Sequence, residues 1–139
     1  MKRYLFLFVV TLVGLTASGF AQCTTFPCVV ASVSLTNQSQ PIPATPIYTP
    51  PASGLFRTTV YLSVSSSDNK SAAWLLFMGW TDDLGARGWE TNSSQNSSNS
   101  GSATFITQAV GGVPLSYQTK PSKAKGTTYN VFIVVEQLQ

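Results

Sequence analysis

The chain has 139 residues, no histidine, two cysteines and only 9% charged residues, with eight Lys and Arg against five Asp and Glu. The missing histidine removes Ser-His-Asp and Cys-His catalysis, zinc hydrolase sites and the commonest general base. A net charge of +3, whose one basic cluster beyond the N-terminal Lys2 and Arg3 is the short Lys120, Lys123 and Lys125 group, falls short of the basic stripe of a nucleic-acid binder.

The chain opens MKRYLFLFVVTLVGLTASGFAQ. Lys2 and Arg3 precede an apolar run from Tyr4 to Leu15, and Gly19 and Ala21 supply small residues before a cleavage point. Together these predict a secretory signal peptide over 1–21, too short an apolar run for a membrane span. The mature chain then starts at Gln22, has no membrane span and carries 118 residues (139 less 21), enough for one domain over 22–139. Loss of Lys2 and Arg3 lowers the net charge from +3 to +1. Such a protein is secreted, extracellular or periplasmic. In that oxidising setting Cys23 and Cys28 pair, closing a small disulfide loop over 22–28.

Period-two alternation then recurs, and no stretch has a helical period. VVASVSL (29–35) sets Val29, Ala31, Val33 and Leu35 on one side. QPIPATPIYTPP is a stiff connection whose short strand, 45–49, is confined to an edge by its prolines. LFRTTVYLSVS is the clearest strand. Phe56, Thr58, Val60, Leu62 and Val64 face one way, and Arg57, Thr59, Tyr61 and Ser63 the other. AAWLLFMGW (72–80) is apolar on both faces, and RGWET (87–91) is its hairpin partner. NSSQNSSNSGS (92–102) is a mobile polar loop. SATFITQAV (102–110), VPLSYQT (113–119) and TYNVFIVVEQL (128–138) complete the set, with TKPSKAKG a solvated turn carrying Lys120, Lys123 and Lys125.

About eight short antiparallel strands without helices predict an all-β chain folded as a single β-sandwich, in jelly-roll or Greek-key form. An immunoglobulin-like sandwich is the alternative, against which stands the absence of a Cys…Trp…Cys framework. Strands 72–80 and 128–138 are apolar on both faces, so loops or another subunit must cover their outer sides.

MGWTDDLGARGWE, residues 78–90, concentrates the candidate sites. Asp82, Asp83 and Glu90 are the acidic residues that a calcium ion could use, although no defined calcium loop is present. Asp82 or Asp83 with Glu90 is the only pair that a hairpin would bring close enough for a small hydrolase; Asp68 lies in a turn, and Glu136, if buried, needs a partner such as Arg57 or Arg87. Trp89 and Tyr61 are the aromatics placed to stack on a sugar, whereas Trp74 and Trp80 belong to the core. DDLG fits a type I turn with Gly85 in the left-handed position. One closure pairs Trp80 with Gly88 and Trp89 with Gly79, sending the indoles to opposite faces. A tighter turn at Leu84-Gly85 sets the two indoles side by side.

Three segments carry a family likeness. TPPASGLFRTTVYLSVS, with Gly54-Leu55-Phe56 opening a long strand, resembles a segment of C1q- and TNF-like jelly rolls. GSATFITQAVGGVPLSYQT resembles their later strand pair, and YNVFIVVEQL their closing apolar strand near a threefold axis. The resemblance implies a homotrimer used for binding rather than catalysis. The sequence reading is therefore a non-catalytic secreted sandwich with no required cofactor. Its partner is a second copy of itself or an extracellular glycan or protein.

Overall fold

A computed structural model describes residues 23–66, 73–94, 100–123 and 127–139. The signal-peptide segment 1–21 lies outside them. Eight strands follow in order: β1 Cys28–Gln38, β2 Thr45–Tyr48, β3 Gly54–Ser66, β4 Ala73–Asp82, β5 Gly85–Ser94, β6 Ser100–Ala109, β7 Leu115–Lys123 and β8 Thr127–Gln137. They form two four-stranded sheets, β1-β8-β3-β6 and β2-β7-β4-β5, and every pairing is antiparallel.

The pairing has a simple origin. β4 pairs with β5, β3 with β6, β2 with β7 and β1 with β8, as though the chain were one long hairpin. That ribbon rolls up when β3 also pairs with β8 and β4 with β7. The result is a jelly roll, with its two sheets face to face. The immunoglobulin-like alternative fails on strand order, because that fold places its first strand beside its second.

Alternation decides what lies between the sheets. Phe56, Thr58, Val60, Leu62 and Val64 of β3 are all buried, as are Val131, Ile133 and Val135 of β8. Trp74, Leu76 and Met78 meet them from β4, with Leu115 and Tyr117 from β7. Each large aliphatic or aromatic side chain so placed contributes about 1.5–3 kcal/mol. β1 breaks the alternation. A bulge between Val29 and Ala31 puts Val29 opposite Glu136 and Ala31 opposite Val135. Val29 therefore points outward, not to the side it was expected to share with Ala31, Val33 and Leu35.

The proline-rich connection is tied down by a polar cluster at one end of the core. The Thr119 hydroxyl accepts from the Ile42 backbone N–H at 2.9 Å and meets the Tyr129 hydroxyl at 2.7 Å. Tyr129 in turn donates to the Gln40 carbonyl at 2.7 Å. Beside it, the Trp74 ring lies 4.1 Å from the Tyr129 ring, and its N–H donates to Thr127. Each polar atom carried into the interior here has a partner, which is what makes its burial tolerable.

Cys23 and Cys28 form a disulfide at the start of β1, with Cα atoms 6.1 Å apart. The polar tract over 92–102, expected as a mobile loop, contributes strand at both of its ends. β5 extends to Ser94, paired with Ala73, and β6 starts at Ser100, paired with Ser63. Backbone ladders accept serine and asparagine at strand ends, so polarity alone did not mark the boundary. Residues 95–99 lie outside the described residues. β7 likewise runs through Pro121 to Lys123, and a register shift between Ala73 and Trp74 absorbs the proline.

Candidate functional site

The β4–β5 hairpin is built around DDLG. Asp82 pairs with Gly85, leaving Asp83 and Leu84 as a two-residue loop. The Leu84 N–H donates to the Asp82 carboxylate at 2.8 Å, and Gly85 takes φ +122°. The turn residues act as expected, but neither expected closure occurs. Met78 faces Trp89, Gly79 faces Gly88 and Trp80 faces Arg87.

That register puts Trp80 and Trp89 on the same, inner face of the sheet. Both stack on Phe105 of β6, with ring centroids 5.9 Å and 4.9 Å away. Trp89 is thus half-buried packing rather than an exposed platform, while Trp74 is fully buried. Tyr61 does sit outside, against Phe132 at 6.1 Å. Trp89 and Tyr61 therefore lie on different sheets and on opposite kinds of face, and they form no joint sugar platform.

Two of the three carboxylates are taken up by separate partners. Arg87 donates to Asp82 at 2.6 Å. That hydrogen bond, aided by the Leu84 N–H, holds the Asp82 carboxyl below the usual range against a smaller opposing effect of desolvation. Asp83 accepts from the Gln108 side chain at 2.6 Å, which ties the turn to β6. Glu90 stands on the outer face beside Phe77. Among the described residues, no group of three or more acidic or cysteine side chains converges to hold a metal. Asp82, Asp83 and Glu90 serve here as a turn cap, a strand tie and a surface carboxylate.

The chain matches no family model and no curated protein. The surface itself then has to supply the functional reading, and the outer face of β1-β8-β3-β6 is its least ordinary part. Register aligns three rows across this sheet. One is Val29, Glu136, Arg57 and Ile106; the next Ser32, Val134, Thr59 and Thr104; the third Ser34, Phe132, Tyr61 and Ser102. Val29 is 61% exposed, Ile106 64%, Tyr61 40% and Phe132 38%.

The only charges in these rows neutralise each other. Arg57 grips Glu136 through two hydrogen bonds of 2.7 Å and 2.9 Å. This contact holds the Glu136 carboxyl below its usual range and raises the Arg57 guanidinium above its own. The remaining polar groups are hydroxyls, with Thr59 and Thr104 hydrogen-bonded to each other at 3.1 Å. Of this surface, sequence reasoning singled out Tyr61, and it marked β8 as apolar on both sides. It missed Ile106 and Val29. The exposed position of Ile106 follows from the alternation of β6 once Phe105 is known to be inside. That of Val29 depends on a bulge with no evident sequence signature.

Proposed function

We propose that this is a non-catalytic secreted binding protein that self-associates through the outer face of β1-β8-β3-β6. The observation that carries the reading is the exposed set of Val29, Ile106, Tyr61 and Phe132 in the aligned rows of a face whose one ion pair among the described residues is internal. Exposed apolar side chains gathered on one face mark interaction surfaces. A face with no net charge does not select an oppositely charged partner, whereas two copies of it meet without net charge repulsion.

The two sheets differ in a way that favours the same side. The edges of β2-β7-β4-β5 carry Pro46, Arg87 and Glu90, residues that discourage strand pairing. The edges of the other sheet, β1 and β6, contain no charged residue. A second copy of this chain is therefore the occupant that the chemistry fits. The likeness to C1q- and TNF-like jelly rolls would make the assembly a trimer. The disulfide and the signal-peptide pattern fit an extracellular setting.

Sedimentation of the mature chain at micromolar concentration tests this reading. The wild type should run as an oligomer, and a Tyr61→Ser/Phe132→Ser variant with unchanged strand content should run as a monomer. A monomeric wild type would remove the proposal.

A further inference from the structure

The opposite sheet carries a different feature. On the outer face of β2-β7-β4-β5, Ser116, Gly79 and Gly88 align in one row, and Gln118, Phe77 and Glu90 in the next. Two adjacent glycines leave bare backbone where side chains would otherwise stand. A Cβ on Gly79 would come 3.1 Å from the Ser116 hydroxyl, and one on Gly88 would come 3.5 Å from the Met78 carbonyl. The outcome is an open trough of about 350 Å³, bordered by Phe77, Glu90, Ser116 and Gln118. That volume is at the lower end of small-molecule sites, about 300–1,000 Å³.

We infer that this trough binds a neutral saccharide. The first reason is the ring. Lys120 sits 5.1 Å from the Phe77 centroid, and its row lies on the far side of Phe77 from the glycines. The ammonium covers that side, and the trough keeps the other for the C–H face of a pyranose. The second reason is the set of polar groups. The Glu90 carboxylate accepts only, while the Ser116 hydroxyl and Gln118 amide both donate and accept. None of the three has a side-chain hydrogen-bond partner among the described residues. A ring of hydroxyls, each donor and acceptor, suits such a set. The third reason is charge. Glu90 on one border and Lys120 behind Phe77 offset each other, and Arg87, which also lines the trough, is paired with Asp82, so the site favours neither an anion nor a cation.

This inference stands apart from self-association, which uses the other sheet. The mature chain is applied to an array of neutral and charged oligosaccharides, and the strongest neutral binder is then titrated calorimetrically. Gly88→Leu fills the trough at a position where its Cβ makes only ordinary contact, and Phe77→Ala removes the ring from an outer face. Each should weaken binding by about tenfold or more, about 1.4 kcal/mol, with the thermal midpoint showing that the fold persists. Phe26→Ala, exposed in the disulfide loop ahead of β1 and part of neither surface, should leave binding unchanged. Three outcomes overturn the inference: no neutral oligosaccharide bound by the wild type, binding confined to charged ones, or wild-type affinity in folded Gly88→Leu or Phe77→Ala.

Discussion

Thr58 and Thr107 show how much a single atom can matter in this core. Both lie on the inner face of the β3–β6 pair, in neighbouring rows, and are almost completely buried. Neither hydroxyl has a hydrogen-bond partner among the described residues. The contrast is Thr119, equally buried but bonded to Ile42 and Tyr129. An orphaned buried hydroxyl costs about 1–3 kcal/mol, and an apolar group of the same shape removes that cost. Thr58→Val should therefore raise stability by about 1 kcal/mol in urea unfolding, and Thr119→Val should lower it. Alternation placed Thr58 inside from sequence alone. Its lack of a partner is a tertiary fact, because it depends on what β6 brings alongside.

Among the elements, the β4–β5 hairpin is the most informative. The local chemistry of DDLG was legible: Asp82 caps the turn and Gly85 adopts a positive φ. The register was not, because alternative closures of the same four residues differ by little locally. The observed one wins by placing Trp80 and Trp89 together on Phe105, and Phe105 comes from a strand beyond the hairpin. Gly85→Ala isolates the turn. A Cβ there would meet nothing within 4 Å, so the cost is that of the backbone at φ +122°. The expected loss is about 1–3 kcal/mol, read as a lower denaturation midpoint with unchanged core fluorescence.

At the scale of the whole molecule, acid stability follows from two ion pairs on different sheets. Arg57 depresses the Glu136 carboxyl and Arg87 depresses that of Asp82. A carboxyl with a lowered folded-state pKa stabilises the fold above its unfolded value, near 4, and loses that contribution as pH falls through the folded value. Thermal midpoints should therefore drop on acidification below about pH 4. In Glu136→Gln/Asp82→Asn the drop should be shallower, with a lower midpoint at neutral pH. An equal slope in both proteins would show that neither pair contributes.

The sequence by itself determined the class of the molecule and much of its framework. An all-β chain, eight strands, the buried face of β3 and the Cys23–Cys28 pair all follow from residue type and period two, which are local properties. Tertiary structure alone decided which face of the doubly apolar strands β4 and β8 met solvent, the register of the hairpin, the outward turn of Val29 and the alignment of Gly79, Gly88 and Ser116 into one trough. Each of these depends on how separate strands are set against one another. A shift of one residue in that setting exchanges the two faces of a strand.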